Sequence, residues 1–156
     1  MPASKIKEFL DKNRVPYETI PHFESFTAQG TAAAAHIPGR ALAKTVMVKL
    51  DDKLIMAVLP ASFKINFALL KEAASAGRGE LAREEEFSHI FPGCEVGAMP
   101  PFGNLYGVDV YVAESLTEDE WIAFNAGNHV ELIRMSYSDF ERLVRPKVLR
   151  FSIQAV

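Results

Sequence analysis

Three groups of residues in this chain have the types and spacing that chemistry needs: Lys44, the stretch GAMPPFG from Gly97 to Gly103, and His129 behind the turn NAG. The loop stretch holds two glycines and two adjacent prolines. Proline fixes φ and removes a donor, while glycine lets another group approach the main chain. A Gly-x-x-x-Pro segment, Gly97 to Pro101 with Ala98, Met99 and Pro100 between and Phe102 after, can hold a few N–H groups at fixed positions. Such donors suit a carbonyl or a developing oxyanion. A rigid turn between strands explains the same residues, Gly103 and Gly107 included. Lys44 begins the more apolar face of a strand-like run, with Val46, Val48 and Leu50. A charge there holds a phosphate or polarises a carbonyl, or simply snorkels at a strand end. His129 can donate to a substrate carbonyl or orient a water, and it can equally be structural.

Other candidates carry less. His22, His36, His89 and Cys94 show no metal-ligand spacing, so no metal is expected. Cys94, the single cysteine, reads as buried and inert, and its spacing from His89 is not that of a nucleophile pair. Glu84–Glu86 read as a solvated helix start. The chain has no Gly-x-Ser-x-Gly elbow and neither of the glycine-rich phosphate-binding patterns.

The elements that must position these residues follow from local pattern. Ser4 is placed to cap a first helix with Ile6, Phe9 and Leu10 on one face. VPYETIPH reads as extended. Thr27 is placed to cap a helix through the alanines at 32–35, which HIPGR ends. KTVMVKL and LIMAVLP form a hairpin about DDK, with Lys49 on the surface side. NFALLKEAAS is helical until Gly77 and Gly79, with its apolar residues facing the core. EEEFSHIF is a short helix before Pro92. CEVGAM and VDVYVAE read as extended. EWIAFNAGNHVELIRM reads as two strands about Ala126–Asn128, with His129 at a strand start. Ser136 and Asp139 form a capping box for a last helix that Pro146 closes. Interspersed helices and hairpins predict an α+β fold: a single domain over 1–156 with a curled, barrel-like mixed or antiparallel sheet flanked by helices.

The 156 residues suit one core, and no apolar run is long enough to cross a bilayer. The polar amphipathic start MPASKIKEFLDKN is not a signal peptide, and a cytoplasmic, reducing setting is expected. The net charge is −3, which argues against a broad, non-specific grip on a phosphate backbone. The charge is uneven: residues 1–50 carry seven Lys/Arg against four Asp/Glu, and the remainder ten against sixteen.

In order along the chain, AKTVMVKL with Lys44, VLPA at 58–61, GAMPPFGNLYG at 97–107 and FNAGNH at 124–129 resemble the YbaK/ProX domain. That family comprises stand-alone relatives of the editing insertion of bacterial prolyl-tRNA synthetases. The resemblance covers nearly the whole chain. It implies a curled mixed sheet and hydrolysis of the ester between a wrong amino acid and the 3′ acceptor end of a tRNA. It implies no metal, covalent nucleophile or other cofactor. The partners it implies are aminoacyl-tRNA and a cognate synthetase, with no membrane and no DNA. By position, Lys44, Gly97 and His129 would be catalytic, and Ala98, Met99, Pro100, Pro101, Phe102 and Gly127 would bind substrate. Small amino acids such as alanine or serine, and cysteine, fit the family's habit. A non-catalytic module that binds tRNA or nucleotide is the alternative. Gly30 departs from the acidic residue expected in close relatives.

Overall fold

A computed structural model describes residues 2–22, 28–92, 94–95 and 97–154. Five helices and ten strands follow in the order α1 (Pro2–Lys12), β1 (Glu18–Pro21), α2 (Ala28–Ala35), β2 (Leu42–Leu50), β3 (Lys53–Pro60), β4 (Phe63–Ile65), α3 (Phe67–Ala74), β5 (Gly79–Leu81), α4 (Glu84–Phe87), β6 (Asp109–Ala113), β7 (Trp121–Asn125), β8 (Glu131–Ser136), α5 (Tyr137–Val144), β9 (Lys147–Leu149) and β10 (Ser152–Gln154).

The β2–β3 hairpin forms because Asp51 and Asp52 both accept positive φ, 50° and 69°. That pair of left-handed residues matches the right-handed twist of the strands it joins. Lys53, expected in the turn, is already the first residue of β3. The Asp51 carboxylate accepts from the backbone N–H groups of Gly77 and Arg78, which ties the end of α3 to the hairpin. Asn66 caps α3 by accepting from Leu69 N at 3.0 Å, and Ser75 ends the helix in the left-handed region. Of that helix only Leu70 is fully buried, fewer than the core-facing reading of FALLKEAAS expects. Ser136 caps α5 by accepting from Asp139 N, and Arg145 ends it just before Pro146.

The main sheet runs β1-β8-β7-β2-β3-β6-β9, with β5 pairing β2 off this path, and β4 and β10 form a separate pair. Antiparallel hairpins are stitched together by parallel contacts of β2 with β7, β3 with β6, and β6 with β9. The sheet is mixed and open, and β2 is shared between β7 near its start and β5 near its end. Helices cover both faces. Ile6 and Leu10 of α1 and Phe140 of α5 pack with Ala43, Met47 and Phe124 on one face. Leu70 of α3 packs with Val48, Leu50 and Leu59 on the other, and Ala32 of α2 continues that layer over Leu42 and Ala123. Burial of both faces is why β2 shows only a partial alternation.

Three further local expectations are corrected. The first helix already begins at Pro2, so Ser4 lies inside it and does not cap it. Proline suits a first helical position, where the missing N–H is not needed. Of CEVGAM, the described residues Cys94, Glu95 and Gly97–Met99 are loop, not strand. A turn with Ala98 N donating to Glu95 O at 3.0 Å, about a Gly97 φ of +83°, bends the chain there. Glu86 and Lys49 are not plain solvated groups: they pair at 2.9 Å with each side chain about a fifth exposed. Thr27, expected as a cap, lies outside the described residues.

Candidate active site

The site is assembled where two turns meet. One follows β7: Ala126 N donates to Glu131 O, Gly127 takes a φ of +105°, and the Asn128 side chain accepts from Val130 N. This short closure turns His129 inward, where it is 4% exposed. His129 therefore precedes β8 by two residues instead of starting it. The other turn is the Gly97 loop. It is docked on the first because Glu95 N donates to Gly127 O at 2.9 Å.

This one backbone bond brings together residues some thirty positions apart. His129 Nε2 lies 3.7 Å from a Glu95 carboxylate oxygen, and that carboxylate is half exposed. His129 Cε1 is the nearest atom to the position a β-carbon on Gly97 would take, at 3.7 Å. Gly97 is exposed, while Ala98, Met99, Pro100, Pro101 and Phe102 are all buried. Phe102 is wholly so, its ring packed among Phe9, Phe124 and Phe140. The loop is thus a core-anchored segment that surfaces at one bare main-chain position, which is what close approach of a ligand to backbone needs. Glu95, missed in the sequence, carries no motif signal beyond standing two residues before Gly97.

Lys44 lines a separate recess, one whose lining includes neither Gly97 nor His129. It lies on the same sheet face as Val46, Val48 and Leu50, and its ammonium donates to the Ala61 carbonyl at 3.4 Å. Its position lines a recess of about 220 Å³ whose floor is Val46, Leu59, Ile65 and Phe67 and whose other cation is Lys64. Burial alone pushes the Lys44 pKa below the usual lysine value. The register carries this face toward the His129 turn. Leu42 stands opposite Ala123 and Ala43 opposite Phe124, where the pairing ends; Lys44 and Asn125, the last residue of β7 before that turn, follow on the same sheet face.

Cys94 is half-buried, its sulfur 3.7 Å from the Tyr106 hydroxyl, and burial raises its pKa. A thiol held protonated in this way is a poor nucleophile. His89 is exposed on the short 3₁₀ turn after α4. Among the described residues no group of three His, Cys, Asp or Glu is placed to hold a metal ion. No described helix is long and apolar enough to cross a membrane.

The aminoacyl-tRNA editing domain model matches residues 22–143, a span that contains Lys44, the Gly97 loop and His129. The chain belongs to the aminoacyl-tRNA editing domain family. Solved structures repeat its fold. The hypothetical protein APE2540 superimposes with a TM-score of 0.83 at 20% identity, covering 96% of this chain and 99% of that one. A candidate trans-editing enzyme for prolyl-tRNA synthetase gives 0.81 at 15% identity, covering 97% of both. A chain from Marinobacter aquaeolei VT8, assigned as a candidate signal transduction protein, gives 0.74 at 16% identity, with 96% of this chain matching 30% of that longer one. At these identities the likeness establishes the fold. No curated protein matches the chain by sequence.

Proposed function

We propose that this protein is a trans-acting aminoacyl-tRNA deacylase. It hydrolyses the ester that joins a wrong, small amino acid to tRNA-Pro or a similar tRNA. The observation that supports it most is the placement of buried His129 against the exposed, positive-φ Gly97, within a chain of the editing family.

Water attacks the ester carbonyl, the tetrahedral intermediate collapses, and the bond to the ribose 3′-oxygen breaks. Free amino acid and tRNA leave. An aminoacyl ester is already activated, so positioning and charge stabilisation suffice. Gly97 admits the aminoacyl carbonyl to the main chain of a loop whose neighbours are locked in the core. His129, held in its turn, donates to the carbonyl or orients the water. Lys44 supplies a fixed positive charge for the terminal nucleotide or the developing oxyanion. Any contribution from Ala98 to Phe102 comes through the main chain and the shape of the loop, because their side chains are buried.

The acidic total, −3, fits an enzyme that grips the single-stranded acceptor end alone or receives its tRNA from a synthetase. The protein would work in the cytoplasm, where charged tRNA is found. A binding module would hold charged tRNA and leave the ester intact. Following bound and acid-precipitable aminoacyl-tRNA in one reaction separates the two: the enzyme loses the ester with many turnovers per protein, whereas stoichiometric binding with a stable ester contradicts the proposal.

A further inference from the structure

The carboxamide oxygen of Asn125 is buried and has no hydrogen-bond partner among the described residues. Buried side-chain acceptors are nearly always paired, and one left unpaired is a cost that a fold tolerates where a ligand supplies the donor. Its position is specific. Asn125 ends β7, directly before the turn that carries Gly127 and His129. The β2–β7 pairing ends at Ala43 and Phe124, so Lys44 and Asn125 are the next residues of the two strands and share one sheet face, and Lys44 gives its own hydrogen bond elsewhere, to the Ala61 carbonyl.

From this we infer that Asn125 is a substrate-reading residue whose side-chain oxygen accepts a hydrogen bond from the aminoacyl-adenosine end of the tRNA. The inference rests on the deacylase reading above. Two donors lie next to the ester carbonyl of such a substrate: the α-ammonium group and the neighbouring ribose 2′-hydroxyl. A cation placed at Asn125 would face the charge of Lys44, whereas a neutral hydroxyl would not. The Glu95 carboxylate by His129 is the better neighbour for an ammonium. The 2′-hydroxyl is therefore the donor that Asn125 accepts. It is also the group that separates an RNA terminus from a DNA one.

The test uses acceptor-stem hairpin RNAs ending in CCA, with alanine attached through a 3′-amide in place of the ester so that nothing is hydrolysed. One hairpin is complete, one lacks the terminal 2′-hydroxyl, and one lacks the α-amino group. The wild type should bind the 2′-deoxy hairpin roughly tenfold more weakly than the complete one, as expected for one buried hydrogen bond. Asn125→Leu should bind these two equally, and Asn125→Asp, which keeps an acceptor, should retain the wild-type loss. The loss on removing the α-amino group should be the same in all three proteins. An Asn125→Leu protein that still loses about tenfold on the 2′-deoxy hairpin overturns the inference. So does one that erases the α-amino effect instead. Should Asn125→Leu fail to fold, an Asn125→Asp protein that has lost the 2′-hydroxyl preference overturns it equally. Ester loss from charged tRNA is measured alongside. A wild type that hydrolyses but shows no coupling leaves the deacylase reading standing and removes Asn125; one that neither hydrolyses nor binds removes both.

Discussion

A β-carbon added to Gly97 would sit 3.7 Å from His129 Cε1, in ordinary contact and without a clash. The obstacle to a side chain there is conformational: φ is +83°, which L-residues rarely adopt. Gly97→Ala should therefore cost about 1 kcal/mol of stability and still fold. Its deacylation rate should fall by far more than stability does, about a hundredfold, because the alanine relaxes the loop away from His129. Paired melting and rate measurements check this; a large melting shift with normal turnover would reject the role given to Gly97.

Gly103 predicts the opposite pattern. A β-carbon there would lie 2.5 Å from the Val108 carbonyl oxygen and 2.8 Å from Val110 Cγ2, so backbone has to move. Gly103→Ala should lose about 3 kcal/mol, seen as a drop in Tm of roughly 10 °C. Activity per folded molecule should change little.

Lys44 is kept at a cost in stability. Burial lowers its pKa, so the folded state holds this proton less tightly than the unfolded chain does. Below the lowered value the cost is present in full. As pH rises from there toward the ordinary 10.5, the folded protein sheds the proton first and stability increases. Lys44→Met should thus melt no lower than the wild type at neutral pH, with its relative advantage shrinking in alkali, while losing most activity. The group is half exposed, so the shift is modest. A strong fall in Tm at pH 7 would show Lys44 to be structural.

Glu86 has the reverse sign. Hydrogen bonds from Lys49 and from the Arg83 backbone and side chain hold its carboxyl at about 2, against the usual 4.5. Its contribution is present above 4.5 and disappears as pH falls from there toward 2. Glu86→Gln should lower Tm at pH 7 and converge with the wild type near pH 2, with added salt narrowing the gap at neutral pH. Parallel melting curves at every pH would contradict the assignment.

Much of this was legible in the sequence where a local rule has a local cause. The β2–β3 hairpin, the Asn66-to-Ser75 helical stretch and the Ser136 cap each depend on a few adjacent residues; the hairpin turn is one residue shorter than DDK, and of the expected capping box only the Ser136 half is present, the Asp139 carboxylate accepting from Arg142. The sharing of one face by Lys44, Val46, Val48 and Leu50 follows from strand period alone. The parallel contacts that stitch the sheet were not legible, since a three-residue strand such as β9 has no period and its partner β6 lies far along the chain. The closeness of Gly97 to His129 was not legible, since the resemblance names the two only as separate site residues. It depends on the bond from Glu95 N to Gly127 O, and backbone groups leave no trace in composition. The Glu86 pairing leaves no sequence signal, because an acidic run looks the same whether its last member is solvated or paired with Lys49. That the Asn125 oxygen has no partner among the described residues appears only when its neighbours are in place.

The central claim is tested most directly by charging tRNA-Pro separately with alanine, cysteine, serine and proline, and measuring ester hydrolysis by the wild type and by Lys44→Ala. Rapid loss of one wrong amino acid, with prolyl-tRNA spared and the activity abolished in a folded Lys44→Ala protein, is the result expected. A folded wild type that hydrolyses none of the four, or a Lys44→Ala protein that retains full activity, would contradict it.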